Sequence, residues 1–302
     1  MPTTLSPLRY PGGKTKFYSY VRKILECNNL LGQTYIEPFA GGAGLAIKLL
    51  LNGDVKRIVI NDYDPAIYAF WYSVLHYTED LCNLIWEADI TPLEWQRQRE
   101  IYLQNNISKS LELGFSAFFL NRTNVSGVIK GGMIGGFKQE GDYRLNARFN
   151  KTNLIKKIKD IAECKKQIIL YNLDAKYLLQ PEYLKRFHKV FINFDPPYVR
   201  KGAQLYQNSF TEEDHRILSE RISGCKRKWI VTYDICPLVA DLYSNYRFSY
   251  LDVTYSIQNS KKAQEYIFFS SNLDLPEDIK VFQPADSSTL METKQQSNSL
   301  IV

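Results

Sequence analysis

The feature that most constrains the fold of this 302-residue chain is an alternation of short apolar strands with apolar helices. Within residues 33–51, QTYIEPF has the pattern of a buried strand, AGGAG that of a tight turn and LAIKLLL that of a helix. A second strand is predicted at 56–62 and a helix at 65–76. Because this spacing of strands and helices is typical of parallel sheets, we predict an α/β fold of the doubly wound kind.

The alternation stops after residue 78 and resumes at residue 151. Residues 79–121 have helical spacing, whereas residues 122–150 contain six glycines between 127 and 141 and are predicted to form a hairpin or loop. The elements predicted after residue 151 are a helix at 152–164, strands at QIILYN, KVFINF and KWIVTYD, a helix at 211–223, and a terminal hairpin formed by 247–257 and 265–271. The hairpin would end a mixed, mostly parallel sheet with an antiparallel strand.

This organisation predicts a discontinuous α/β domain over 1–78 and 151–284. A mainly helical domain with a Gly-rich hairpin or loop would be inserted at 79–150. The polar residues 285–302 are predicted to be disordered.

Positive charge is concentrated in residues 115–159, which begin inside the predicted insertion and end beyond it. The chain carries a net charge of +6, and residues 115–159 hold nine Lys or Arg against two acids. This local excess favours a polyanionic partner, although a basic loop can also be only a solvated surface. Five cysteines form no CxxC pair, so we expect reduced thiols and no metal. Since the sequence has neither a signal core nor an apolar run of about 18 residues, we expect a cytoplasmic protein without membrane contact.

The tetrapeptide DPPY, Asp195–Tyr198, follows the apolar strand KVFINF and therefore lies at a carboxyl strand end, where open α/β sheets build their sites. Its two prolines fix the backbone and lack N–H groups, which leaves their carbonyls free to accept hydrogen bonds. A carboxylate beside a rigid carbonyl can accept both N–H bonds of an aromatic amine, and Tyr198 can stack on a base. The alternative interpretation is a rigid turn with a capping aspartate.

The turn FAGGAG, residues 39–44, has glycines that would let the backbone approach a ligand at the start of a helix, although such turns can also serve packing alone. Asp62 ends the second predicted strand, where a carboxylate can bind ribose hydroxyls. Capping of the next helix is better filled by Asp64, because Pro65 follows it. Upstream, RYPGGK at 9–14 could fold over a nucleotide pocket, with Tyr10 stacking and Lys14 meeting a carboxylate.

Taken in this order, the RYPGGK segment, the glycine turn, the insertion and DPPY resemble the Dam-type class alpha family of N6-adenine-specific DNA methyltransferases. The resemblance covers about residues 6–273. LNR at 120–122 followed by Ser126-Gly127, YRLNARFNK at 143–151 and KAQEYIF at 262–268 are similar to further family segments. One departure is visible: the family's FxGxG becomes Phe39-x-Gly41-x-Ala43. Alanine fits that turn without strain only if its φ is negative.

The resemblance implies a Rossmann-like S-adenosylmethionine-dependent methyltransferase fold, with the insertion as the DNA target-recognition domain. The residues that it implies for binding S-adenosylmethionine are Tyr10, Lys14, Glu37, Pro38, Phe39, Gly41, Asp62, Asp174 and Asp195. The catalytic residues that it implies are Asp195, Pro196, Pro197 and Tyr198, which would hold the target adenine. The DNA-binding residues predicted in the insertion are Asn121, Arg122, Ser126, Lys130, Lys138, Arg144 and Arg148.

The implied reaction is methyl transfer to N6 of an adenine that has been flipped out of double-stranded DNA, without a metal or a covalent intermediate. The resemblance further suggests a bacterial, archaeal or phage-encoded protein, and a cognate restriction endonuclease as a partner at the same DNA site. An RNA adenine methyltransferase and a catalytically dead, sequence-specific DNA-binding protein stay open as alternatives. A protein-glutamine methyltransferase is disfavoured, because Asn would be expected at position 195.

Overall fold

The computed structural model of the protein describes residues 4–9, 17–199, 210–257 and 259–283. Within these residues, seven strands form one sheet in the order β3-β2-β1-β4-β5-β7-β6. The strands are β1 (Thr34–Glu37), β2 (Arg57–Asn61), β3 (Ile168–Tyr171), β4 (Val190–Phe194), β5 (Lys228–Asp234), β6 (Arg247–Ile257) and β7 (Asn259–Phe269). Strands β1 to β5 are parallel, and β7 pairs antiparallel with both β5 and β6. The predicted α/β fold with a mostly parallel sheet is confirmed.

Helices connect the strands and extend the fold between β2 and β3. The helices are α1 (Tyr18–Cys27), α2 (Gly44–Leu51), α3 (Pro65–His76), α4 (Thr78–Glu87), α5 (Pro92–Gln104), α6 (Ser110–Thr123), α7 (Lys151–Glu163), α8 (Ala175–Leu178), α9 (Pro181–Leu184), α10 (Glu212–Ser223) and α11 (Pro237–Leu242). Several start where the sequence supplies a capping side chain. Asp64 accepts a hydrogen bond from the Ala66 amide at 2.8 Å, with Pro65 in the first turn of α3, which confirms its predicted capping role.

The sheet lies between two hydrophobic layers, since side chains alternate between its faces. In β1, Tyr35 belongs to the core that includes α1 to α7, and Ile36 belongs to the opposite core with α10 and α11. Helices α4 to α6 join the first of these cores. Contact between α3 and α6 is close, because a Cβ on Gly114 would lie 2.5 Å from the Ala69 carbonyl oxygen.

Most differences from the predicted elements concern short pieces. The sequence pattern missed the ten-residue helix α1 and the helices α8, α9 and α11, which span only four to six residues. The last strand begins at Asn259 rather than at residue 265, because KKAQ pairs with β6 although it is polar. Helix α6 extends to Thr123, and residues 124–150 contain only short 3₁₀ turns and one isolated bridge, Asn124 to Met133, as their glycine content predicts.

Candidate active site

The predicted site residues on the described strands collect at the carboxyl edge of the parallel sheet. Strand β1 lies between β2 and β4, so the chain leaves β1 towards one side and later returns on the other side. Ligands of open α/β sheets bind at such a switch point, outside the carboxyl ends of the strands. The glycine turn follows β1, Asp62 follows β2 and DPPY follows β4. Tyr10 and Lys14 lie outside the described residues.

The glycine turn after β1 is held by contacts from neighbouring elements. The Ala40 amide donates to the Asn61 carbonyl at 2.9 Å, and the Trp71 indole N–H donates to the Gly41 carbonyl at 2.9 Å. Ala43 has φ 45° and ψ 31°, which is the left-handed region. The condition for an unstrained alanine is therefore not met: the surrounding contacts impose a conformation that costs a non-glycine residue about 1–2 kcal/mol.

We expect Ala43→Gly to change the free energy of unfolding by less than about 0.5 kcal/mol. Relief of the left-handed alanine offsets the loss of a buried methyl group, which contributes about 0.8 kcal/mol. Ala46 is equally buried but lies within α2, so Ala46→Gly should cost about 2 kcal/mol from helix propensity and lost burial together. Chemical denaturation of both variants measures this difference. Equal destabilisation by the two substitutions would contradict a strained Ala43.

Asp62 links the ends of β1 and β2. Its carboxylate accepts hydrogen bonds from the Gly41 amide at 2.7 Å and from the Asp64 amide at 2.9 Å. Burial, together with the nearby Asp64 carboxylate, raises the pKa of Asp62 to about 7. This partly buried carboxyl therefore fixes the glycine turn and changes its charge close to neutral pH.

Glu37 is the last residue of β1 and Pro38 follows it, and both form hydrogen bonds with neighbouring residues. The Glu37 carboxyl is buried and accepts from the Tyr35 hydroxyl at 3.0 Å and from the Ala46 amide at 3.2 Å. Burial raises the pKa of Glu37 to about 8. The Pro38 carbonyl accepts from the Asn61 side-chain amide at 2.8 Å. These contacts fix the position of the glycine turn and of the first turn of α2.

Asp174 lies at the start of a separate short helix, and Phe39 is the first residue of the glycine turn. Asp174 caps the short helix α8 by accepting from the Lys176 amide at 3.0 Å, and its carboxylate forms an ion pair with the Lys176 ammonium at 2.9 Å. The Phe39 ring lies edge-on to Phe210, with 5.9 Å between the ring centroids. Asp174 therefore already has a local partner on its own helix, whereas Phe39 connects the turn to the start of α10.

DPPY is held by side chains of β5 and β7. Asp195 is partly buried, and its Oδ1 accepts from the Thr232 hydroxyl at 2.8 Å. Tyr198 is only 3% exposed, and its hydroxyl donates to the buried Glu265 carboxylate at 2.6 Å. A base could stack on this ring only if the groups that cover it moved. Pro196 and Pro197 are buried between these two contacts.

The sequence pattern missed Thr232 and Glu265 as parts of the site. Each is a polar residue within an otherwise apolar strand, KWIVTYD or EYIFF, and both are buried. A polar side chain at a buried strand position requires a partner, which is the signal that could have identified them. Their partners depend on the order of the strands in the sheet, and the sequence does not specify that order.

The predicted DNA-binding residues fall into an interior and an exposed group. Asn121 is fully buried: its carbonyl accepts from the Arg9 amide at 2.7 Å, and its amide donates to the Arg9 and Gly127 carbonyls at 2.7 and 2.8 Å. Arg122 donates through Nε to the Arg148 carbonyl at 2.7 Å. The prediction placed Asn121 on DNA, but its amide instead joins the N-terminal segment to the insertion.

The exposed group carries most of the positive charge of the glycine-rich residues 122–150. Its members are Lys130, Lys138, Arg144 and Arg148, and the exposed aromatic residues Phe137 and Tyr143 lie among them in sequence. The Arg148 guanidinium lies 5.3 Å from the centroid of the Tyr143 ring. Ser126, the remaining predicted residue, is partly buried and has φ 58°, so the loop turns sharply there.

Arg122 belongs to the interior group. Its burial, together with the neighbouring Arg9 and Arg148, lowers the pKa of the Arg122 guanidinium to about 10.

No helix in the described ranges is long and apolar enough to cross a bilayer. The same part of the chain has no group of three or more His, Cys, Asp or Glu side chains arranged to hold a metal ion.

Comparison with known proteins identifies the family. Type II methyltransferase M.MjaIII of Methanocaldococcus jannaschii is 25% identical over 225 residues, which cover 68% of this chain and 73% of that protein. A putative RNA methyltransferase from Pyrococcus horikoshii overlaps with a TM-score of 0.41 at 10% identity, over 89% of each chain. The rRNA methyltransferase aviRa from Streptomyces viridochromogenes overlaps with a TM-score of 0.36 at 12% identity, over 86% of this chain and 85% of that one. Residues 10–257 match the D12 class N6 adenine-specific DNA methyltransferases, and the chain belongs to this family.

Proposed function

We propose that this chain transfers a methyl group from S-adenosylmethionine to N6 of an adenine flipped out of duplex DNA. The observation that carries the proposal is the Asp195 carboxylate, which lies at the carboxyl end of β4 with one oxygen fixed by Thr232. Asp62 and the glycine turn lie at the same edge of the sheet, after β1 and β2. Family membership supports adenine in DNA as the substrate.

The residues around the glycine turn fit S-adenosylmethionine. Ala43, the N-cap residue of α2, has no side-chain acceptor, and Glu37 accepts only from the Ala46 amide, so the first two amides of α2 are suited to donate to a ligand at this edge of the sheet. The Asp62 carboxylate is suited to accept ribose hydroxyls, and its raised pKa reflects a site with little water. S-adenosylmethionine supplies an electrophilic methyl group when it is bound. We assign its binding to Phe39, Gly41 and Asp62 among the described residues.

The DPPY tetrapeptide would hold the adenine amino group in place and polarise it by accepting its hydrogen bonds. Asp195 and the Pro196 carbonyl each accept one N–H bond of N6, which concentrates electron density on the nitrogen. Neither Pro196 nor Pro197 can compete as a donor, since proline lacks an N–H group. Asp195 acts as a hydrogen-bond acceptor rather than as a strong base, because the amine becomes acidic only as it gains the methyl group.

Residues 79–150 are proposed to recognise the DNA target. Exposed cations supply phosphate contacts, and exposed Phe137 and Tyr143 supply surfaces for sugar and base contacts. The lowered pKa of Arg122, caused by burial and by like charge, fits a surface whose repulsion is relieved when an anion binds. Asn121 would contribute indirectly, by fixing the loop through Gly127.

A methyl-transfer assay tests the proposed function. Labelled S-adenosylmethionine is incubated with duplex DNA, single-stranded DNA and RNA of the same sequence, and the products are digested to nucleosides. We expect N6-methyldeoxyadenosine from the duplex. Label in RNA alone would indicate an RNA methyltransferase, and DNA binding without any transfer would indicate a dead scaffold. Either outcome would overturn the proposal.

A cognate restriction endonuclease remains a proposed partner, supported by the Type II designation of the relative from Methanocaldococcus jannaschii. Mapping of methylated adenines in DNA from cells that express the chain defines the recognition site. DNA from these cells should then resist an endonuclease that cleaves at that site.

A further inference from the structure

The segment from Asp195 to Val199 is held in place by hydrogen bonds to neighbouring strands. It contains no regular secondary structure, and two of its five residues are prolines without N–H groups. Its end is held by β5 and β7: Tyr198 donates to Glu265 at 2.6 Å, and the Val199 amide donates to the Asp234 carboxylate at 3.0 Å. These two contacts, together with the fixed φ of both prolines, determine the path of the backbone.

A fixed backbone does not by itself orient the Asp195 carboxylate. The last torsion of an aspartate is broad, so the plane of its two oxygens turns easily unless a partner holds it. The register of β4 with β5 pairs Phe194 with Val231, which places the next residue, Thr232, beside Asp195. The Thr232 hydroxyl lies 2.8 Å from Asp195 Oδ1 and 3.4 Å from the Phe194 carbonyl oxygen.

Thr232 is well suited to hold the carboxylate. It is completely buried, so water does not compete for its hydroxyl, and β-branching restricts its first torsion. A hydroxyl that donates to an ionised oxygen makes a shorter and stronger bond than one that donates to a neutral group. Because the two carboxylate oxygens share one plane, the contact at Oδ1 also restricts the direction of Oδ2.

We infer that Thr232 is a positioning residue for methyl transfer, whose hydroxyl fixes the plane of the Asp195 carboxylate so that one oxygen faces the adenine amino group. The inference rests on the proposed function. Thr232 does not touch the substrate in this assignment and acts only through Asp195.

The test removes the hydroxyl while keeping the shape of the side chain. Thr232→Val should lower the single-turnover rate of methyl transfer to duplex DNA about 10-fold, which corresponds to one hydrogen bond. The affinity for S-adenosylhomocysteine should stay within about twofold, because Asp62 and the glycine turn are unchanged. Thr232→Ser keeps the hydroxyl and should retain a rate within about threefold of the original chain.

Two further variants control for folding. Thr232→Ala and Thr232→Ser both lack the methyl group and differ only in the hydroxyl, so their comparison remains informative if the valine variant is unstable. Thr34→Val makes the same chemical change at a buried position at the amino end of β1, the opposite edge of the sheet, and should leave the rate unchanged.

The outcomes separate this inference from the proposed function. If the original chain does not methylate duplex DNA, the proposed function fails. If it does, three results would each overturn the role of Thr232: a valine variant within twofold of the original rate, a serine variant as slow as the alanine variant, or an equal loss of S-adenosylhomocysteine affinity and of rate. The expected split between rate and affinity would not arise from a general loosening of the fold.

Discussion

Asp195→Ala is expected to lower the rate of methyl transfer by at least about 10²–10³-fold, the usual cost of removing a group that stabilises developing charge. The substitution deletes the acceptor proposed for the adenine amino group and leaves the Pro196 carbonyl in place. Single-turnover transfer of labelled methyl groups to duplex DNA measures the loss.

The matched control for Asp195→Ala is the amide variant. Asp195→Asn keeps one acceptor oxygen and the same shape, so its rate should fall between those of the original chain and the alanine variant. DNA binding of both variants should be unchanged, since the exposed cations of the insertion lie on other elements. An alanine variant that retains near-original turnover would exclude Asp195 from the reaction.

Asp62→Ala is expected to weaken binding of S-adenosylmethionine about 10- to 100-fold, which is the range for hydrogen bonds to a charged group. Part of the loss would come from the glycine turn, because the Asp62 carboxylate also accepts from the Gly41 amide. Calorimetric titration with S-adenosylhomocysteine measures the affinity directly. An unchanged dissociation constant would remove Asp62 from the binding site.

Asp62 also gives this binding a predicted pH dependence. Because burial raises the pKa of Asp62 to about 7, the carboxyl loses its proton as the pH rises through 7. The ionised form is the better acceptor for ribose hydroxyls, so affinity should rise between pH 6 and pH 8, by no more than tenfold per pH unit. The Asp62→Ala variant should show a shallower profile, which keeps only the change that Glu37, with a pKa of about 8, produces at the upper end of the range. Equal slopes for both proteins would assign the dependence to another group.

The strand ends were the most predictable part of the site. Short apolar runs identified β1, β2 and β4, and the polar residues that follow them necessarily lie at one edge of a parallel sheet. The sequence therefore placed Asp62 and Asp195 on the same edge without any knowledge of side-chain contacts. It could not give the strand order, and the contacts that Thr232 and Glu265 make with DPPY depend on that order.

Two further features depend on contacts between distant residues. The left-handed conformation of Ala43 accompanies hydrogen bonds of the turn with Trp71 and Asn61, 28 and 18 residues away in the sequence. The inward position of Asn121 depends on Arg9, which is separated from it by 112 residues. A local pattern such as LNR gives the residue types but not the direction of each side chain.

The loop at 124–134 is held from its inner side by the side chain of Asn124. The side-chain amide of Asn124 donates to the carbonyls of Val128, Ile129 and Gly131, at 3.0, 2.8 and 3.1 Å, and its oxygen accepts from the Trp95 indole at 2.6 Å. The path of the loop is thus set from inside the protein, independently of the side chains that face solvent. In the proposed role of residues 79–150 in DNA recognition, solvent-facing positions of this loop can be exchanged one at a time while the scaffold persists, so new sequence preferences can evolve, or be selected in libraries, without passing through unfolded intermediates.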